Sequence, residues 1–250
     1  MTPPIFSQYS SGGGGRATGF GMGPMTGGGL YRFSVAYFSG TGSNPDGPSL
    51  SQARSGLYGG ETSQWKNNTS FFNTQSGIQL WTVPQTGNYR IEAEGARGGY
   101  PRGQGYGARM RGDFNLEEGE IVRMVIGQQG QQGGHPWGGT QGGGGSILVV
   151  GGGGGAGAGT PWSNQRGDNA NTGTSGNGPG GGGNGGNGGG GFWGAGGAGF
   201  FGDGPTNSGT PSSQRSRSYT NGSRAGRGPN SWGGTYWGGF GGGGGSGVAG

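Results

Sequence analysis

The sequence predicts an all-β protein, an antiparallel β-sandwich with packed polyglycine-II helices and loop insertions, on three observations. Apolar and polar side chains alternate with period two in several short stretches, with turn residues between them and no helical period anywhere. Glycine makes up 78 of 250 residues and comes in uninterrupted runs, with only 13 prolines, which excludes the Gly-X-Y period of collagen. Aromatic residues, at 11%, outnumber charged ones, at 10%, the reverse of a disordered composition, so the chain has groups to pack.

The elements follow in order. Residues 1–29 are rich in Gly, Ser, Pro and Met and read as an extended N-terminal arm. Ile5, Phe6, Tyr9 and Phe20 are too many apolar groups for a pure linker, and such a segment can add to the edge strand of a neighbouring copy. Deleting residues 1–25 is therefore expected to leave the fold intact and weaken assembly. From Leu30, "LYRFSVAYF" alternates Tyr31, Phe33, Val35 and Tyr37 against Arg32, Ser34 and Ala36, a strand with one buried face. A loop follows at "SGTGSNPDGP". "GIQLWTVPQTGNYRIEAEGA" reads as a hairpin: a strand over 78–83, a turn over 84–88, then Tyr89, Ile91 and Ala93 alternating with Arg90, Glu92 and Glu94. In "DFNLEEGEIVRMVIGQQG" a turn over 117–119 feeds a strand over 121–126, and "SILVV" is the next strand. Residues 30–150 thus form the sandwich.

Residues 151–250 form a second region, glycine tracts at 151–155, 180–183, 188–191 and 241–245 separated by loops, with 142–145 just before the last strand. Pure glycine loses more conformational entropy on ordering than any other sequence and has no side chain to bury. A left-handed threefold helix of the polyproline-II type offers compensation. With no side chain at any position such helices lie close together, and each N–H and C=O can bond a neighbour. The tract at 151–155 is expected to be such a rod, packed on the sandwich.

Three segments, "GIQLWTVPQTGNYRIEAEGARGG", "GDFNLEEGEIVRMVIGQQG" and "GGGGSILVVGGGGGAGAG", resemble in that order the glycine-rich ligand-binding region of the anaplastic lymphoma kinase and leukocyte tyrosine kinase receptors. "LYRFSVAYFSGTGSNPDGPSLSQ" and "GGFGGGGGSG" extend the likeness over residues 30–250. The resemblance implies a tumour-necrosis-factor-like β-sandwich with inserted polyglycine-II helices, extracellular and non-catalytic. A looser resemblance, through the "TVP" turn and the glycine runs, is to glycine-rich adhesins at phage tail-fibre tips. This chain lacks the cysteines, signal peptide, membrane span and kinase domain of those receptors, so the resemblance bears on fold more than on signalling.

Composition argues against catalysis. No cysteine is present, and His135 is the sole histidine, in the loop "GGHPWGG". Asp46, Glu61, Asp113, Asp168 and Asp203 are isolated along the chain. No catalytic, cofactor or metal residue is assigned, and no cofactor is expected. A net charge of +5 from 15 basic residues is thin for a nucleic-acid binder, and none is expected as a partner. Arg215, Arg217, Arg224 and Arg227 read as a solvated loop, with a polyanion patch as the alternative. Arg111-Gly112-Asp113 and Arg166-Gly167-Asp168 spell an integrin-type tripeptide, which a glycine-rich composition produces by chance. Asn67, Asn68 and Asn221 stand in N-x-S/T sequons and are glycosylation candidates if the chain is secreted by a eukaryote.

Aromatics flank the glycine tracts, where they can cap the rods or anchor a partner. Phe192, Trp193, Phe200, Phe201, Tyr236 and Trp237 are the candidate partner-binding residues. The expected function is a non-enzymatic, extracellular or surface-exposed structural and binding module, whose partner is another protein, copies of itself in a filament included, or a surface glycan. The alternatives are a phage- or virus-type host-binding adhesin and a receptor ectodomain fragment. No signal peptide is visible at "MTPPIFSQYSSGGGG", and no stretch approaches the roughly 20 apolar residues of a membrane span.

Overall fold

The computed structural model describes residues 29–40, 42, 44–98, 106–131, 188, 196–206, 214–228 and 237–244 in full, and the backbone of 16–21, 146–148 and 151–153. The strands among them are β1 (Arg16–Gly21), β2 (Val35–Ser39), β3 (Leu57–Tyr58), β4 (Phe72–Gln75), β5 (Ile78–Thr82), β6 (Gly87–Glu94), β7 (Arg109–Leu116), β8 (Ile121–Val125), β9 (Ser146–Leu148) and β10 (Gly151–Gly153). They form two five-stranded antiparallel sheets, ordered β3-β2-β1-β6-β7 and β10-β9-β8-β5-β4. The structure is all-β and antiparallel, as the alternation predicts.

One core serves both sheets. Phe38 of β2, Leu57 of β3 and Tyr89, Ile91 and Ala93 of β6 meet Phe72 of β4, Trp81 of β5 and Val122 and Met124 of β8. The Trp81 ring lies 5.2 Å from that of Phe33 and 5.7 Å, nearly perpendicular, from that of Tyr89. Burying side chains of this size is worth about 1.5–3 kcal/mol each.

The expected hairpin over 78–94 is not one. β5 pairs with β4 and β8, while β6 pairs with β1 and β7, so residues 83–86 carry the chain from one sheet to the other. Val83 donates its N–H to the Glu120 carbonyl and accepts from the Gly119 N–H, so its backbone groups are engaged there and not on β6. A two-residue hairpin does join β4 to β5, through Ser76 and Gly77, with φ of 49° and 76°. Two positive φ values match a type I′ turn, which suits the strand twist.

The face of "LYRFSVAYF" also differs from expectation. Phe33 is buried, but beyond it Ala36 and Phe38 face the core. Tyr37 instead stacks on exposed Tyr58, the rings 5.0 Å apart and 16° from parallel. The strand begins only at Val35, and the irregular backbone before it shifts the alternation by one residue. Two short helices, α1 (Leu50–Ser55) and α2 (Thr62–Trp65), occupy a stretch where no helical period is visible. α1 opens on a capping box, Ser49 Oγ accepting from the Gln52 N–H while Gln52 Oε1 accepts from the Ser49 N–H.

Both expected region boundaries fall inside sheets. β1 lies within the span assigned to an arm, yet it sits between β2 and β6, with Phe20 in register with Ala36. The assignment of residues 1–29 to an arm outside the fold is corrected accordingly, as is the expectation that residues 1–25 are dispensable. Ile5, Phe6 and Tyr9 lie outside the described residues. At the other boundary, Gly151–Gly153 pairs antiparallel with Ser146–Leu148. The first three glycines of the 151–155 tract are therefore a strand, compensated by ladder bonds to β9, and not a rod. The tract at 241–245 differs too, because Gly241 and Gly242 have φ of 100° and 86°, a left-handed turn instead of the φ near −75° of polyproline II.

The late segments attach to the second sheet at several points. The Phe240 ring is fully buried with Ile78 and Val125. A Cβ on Gly77 would stand 2.9 Å from the Phe240 ring and 2.8 Å from Gly47 Cα, so the β4–β5 turn needs glycine for contact as well as for φ. Backbone bonds run from the Gln128 N–H to the Phe240 carbonyl (2.9 Å), from Gln131 to Trp237 (3.0 Å) and from Ala225 to Pro45 (2.9 Å).

Candidate functional site

Among the described late segments, backbone bonds backbone. Ala198 N–H donates to the Gly242 carbonyl (2.8 Å), Gly204 to Ser216 (2.9 Å), Gly226 to Gly243 (2.9 Å) and Gly238 to Gly226 (2.9 Å). None of these partners belongs to a common strand. A Cβ on Gly188 would stand 2.6 Å from the Asp203 carbonyl oxygen and 2.7 Å from that of Gly197. Added Cβ atoms on Gly204 and Gly238 would likewise collide with the carbonyls of Gly196 and Gly243. Only residues without side chains permit this approach, so here the chain packs by its main chain.

On this platform stands a loop of two aromatics, closed by a bond from the Gly199 N–H to the Gly202 carbonyl (2.9 Å). The Phe200 ring lies on that of Tyr219, 4.9 Å away and 17° from parallel, and Phe201 meets Phe200 edge-on at 4.7 Å. Phe201 is 65% exposed. A large apolar ring left in water on a loop whose neighbour is stacked down is a poised contact.

Asp203 secures the base of the tip. Its carboxylate accepts from Arg217 Nη1 (2.8 Å), the Ser218 N–H (2.9 Å) and Asn221 Nδ2 (2.9 Å). Partial burial pushes its pKa up, but the bonds from Asn221, Ser218 and Arg217 outweigh this and bring it down to about 2. A carboxyl with a depressed folded pKa stabilises above its unfolded value, near 3.9, and that contribution is lost as pH falls through the folded one. Thermal melts should therefore show wild type losing melting temperature more steeply between about pH 4 and pH 2 than an Asp203→Asn variant; parallel curves would refute this role.

The other predicted residues are placed as follows. Trp237 is half-buried beneath the guanidinium groups of Arg224 and Arg227, 4.8 and 5.6 Å from its ring centre, and its backbone N–H donates to Gln131 Oε1 (3.1 Å). It joins segments and does not stand at the tip. Phe192, Trp193 and Tyr236 lie outside the described residues, as do His135 and Arg166-Gly167-Asp168. The arginine-rich stretch is not a solvated loop, since Arg217 is paired with Asp203 and Arg224 with Asp46 (2.7 Å).

The carboxylates flagged as isolated are engaged separately. Asp113 is held by Arg90, Asp46 by Arg224, and Glu61 accepts from the Ser34 hydroxyl (2.8 Å). Asn67 and Asn68 are exposed on the turn after α2, where Asn68 Oδ1 accepts from the Ser70 N–H (2.9 Å). Asn221, also exposed, is tied to Asp203. Sequence reasoning missed Tyr219 and the organising role of Asp203. The available signal was Asp203 directly after "FFG", with Arg217, Ser218 and Asn221 clustered downstream.

The chain is similar to the leukocyte tyrosine kinase receptor of Mus musculus, 43% identical over 67 residues, which cover 24% of this chain and 8% of that receptor. It thus spans less than a tenth of that relative's length. No protein-family model matches the chain. Among the described residues no helix is long and apolar enough to cross a membrane.

Proposed function

We propose that this chain is a non-enzymatic, extracellular protein-binding module, a tumour-necrosis-factor-like β-sandwich whose glycine-rich half is a rigid platform for an aromatic loop tip. The observation that carries this reading is Phe201, 65% exposed beside a stacked Phe200–Tyr219 pair on a loop with its own closing bond. Several features support it. Partial similarity to a receptor tyrosine kinase fits an extracellular role in protein binding. The carboxylates Asp46, Asp113 and Asp203 are each bound to an arginine, so none of them is poised as a general base. In the glycine-rich half, the described segments are bonded main chain to main chain. Preorganisation is what such a platform contributes, because a tip that does not move loses little entropy on binding.

The test presents fluorescently labelled full-length chain to two arrays, one of purified extracellular protein domains and one of glycans. Binding to a protein spot is expected, with Phe201→Ser weakening it about 30-fold, the equivalent of a 2 kcal/mol hot spot, while the thermal melt stays unchanged. Binding confined to glycans would favour the adhesin alternative. Binding indifferent to Phe201, or none at all, would overturn the proposed site.

A further inference from the structure

The tripeptide Arg111-Gly112-Asp113 lies not at a loop tip but in the middle of β7, the edge strand of the first sheet. Among the described residues β7 pairs on one side, with β6, where Ile91 faces Gly112 and Arg90 faces Asp113. Its side chains alternate: Arg109, Arg111, Asp113 and Asn115 are exposed on the outer face, and Met110, Gly112 and Phe114 are half-buried on the inner one. A free edge of eight residues is a template for another strand unless something blocks it. Here no proline and no bulge interrupts it.

We propose that β7 pairs antiparallel with β7 of a second copy about a two-fold axis through Gly112, joining two first sheets into one continuous sheet. The sequence is self-complementary about that residue. Antiparallel pairing centred on Gly112 sets Arg111 opposite the partner's Asp113 and Asp113 opposite the partner's Arg111. Met110 then faces Phe114, and Arg109 faces Asn115. No outer-face pair brings like charges together, and every inner-face pair is apolar. Moving the centre breaks this: one residue away, about Arg111, that arginine would face itself, and two residues away, about Met110, Arg109 would face Arg111. Polarity matters as much, since a parallel in-register pairing would set Arg on Arg and Asp on Asp.

Two further details fit. Asp113 takes Arg90 by two bonds, Nε to Oδ1 (2.7 Å) and Nη2 to Oδ2 (3.0 Å), which leaves half of a carboxylate's roughly four lone-pair sites for a second guanidinium. Arg90 holds the Asp113 carboxyl below the usual carboxylate range, so it is ionised at neutral pH. On the inner side, a Cβ at Gly112 would stand 2.8 Å from the Phe114 ring, which therefore folds over the glycine. Two such rings would close over the Gly112–Gly112 centre. An isologous contact of this kind closes at two subunits, so it produces a dimer and not a filament. The inference is independent of the Phe201 site.

Light scattering on the full-length chain over a concentration series tests it. Wild type should move from one-chain to two-chain mass as concentration rises. Arg111→Asp sets Asp against Asp and should weaken dimerisation roughly tenfold or more. Arg90→Asp combined with Asp113→Arg reverses the β6–β7 ion pair and sets Arg against Arg, and it should dimerise equally poorly alone. Mixed in equal amounts, the two variants should form a heterodimer, each acidic edge meeting a basic one. Circular dichroism confirms that both are folded, and Arg111→Lys, which keeps the charge, should retain the dimer. A wild type that stays at one-chain mass, an Arg111→Asp variant that dimerises like wild type, or folded variants that do not pair on mixing would each overturn the proposal.

Discussion

A chain lacking residues 1–25 is expected to lose cooperative thermal unfolding. β1 occupies the centre of the first sheet, bonded to β2 on one side and to β6 on the other. Removing it leaves the two-residue β3 against β2 and an isolated β6–β7 hairpin, and a two-stranded ribbon is marginal in water. It also strips partners from β2 and β6, whose Ala36, Phe38, Tyr89, Ile91 and Ala93 supply much of the shared core. Unpaired backbone groups at the sheet centre would cost about 1–3 kcal/mol each, so a few exhaust the typical 5–15 kcal/mol stability of a domain. Circular dichroism melts decide it. A truncated chain that melts as sharply as wild type would show that β1 is an addition to the sheet and not part of it.

The strands of the core were the most legible part of the fold. Tyr89, Ile91 and Ala93 are all buried and alternate as written, because a strand with one face on a core fixes its own period. Sheet membership was not legible. The sequence around Pro84 signals a reversal, and a reversal inside one sheet looks the same locally as a crossing between two. β1 was hidden by composition: "RATGFG" has two glycines and one large apolar residue, and only its neighbours β2 and β6 make it a strand. The tract after Leu148 failed for the same reason, since glycine has no preference of its own and takes the conformation its bonding partners impose.

The candidate site was half legible. Phe200 and Phe201 were singled out as aromatics beside glycine tracts, and the structure separates their roles, one stacked on Tyr219 and one exposed. Trp237 has the same sequence context but lies beneath the guanidiniums of Arg224 and Arg227, a pairing that no periodicity in the sequence announces.

Platform rigidity is the claim on which the functional account turns. A glycine-rich tail that served only as a linker would leave its amides in water, whereas the amides of Ala198, Gly204, Gly226 and Gly238 each donate to a carbonyl of a separate segment. Phe240, fully buried against Ile78 and Val125, couples those segments to interior strands of the second sheet, so opening them should require uncovering that sheet. Native-state amide hydrogen exchange reads this directly, because opening free energies run from about zero in mobile segments to the global value in a core. The account predicts that these four amides are protected to an extent approaching those of β5 and β6. Exchange at the rate of unprotected peptide, in a protein whose β5 and β6 amides remain protected, would contradict it.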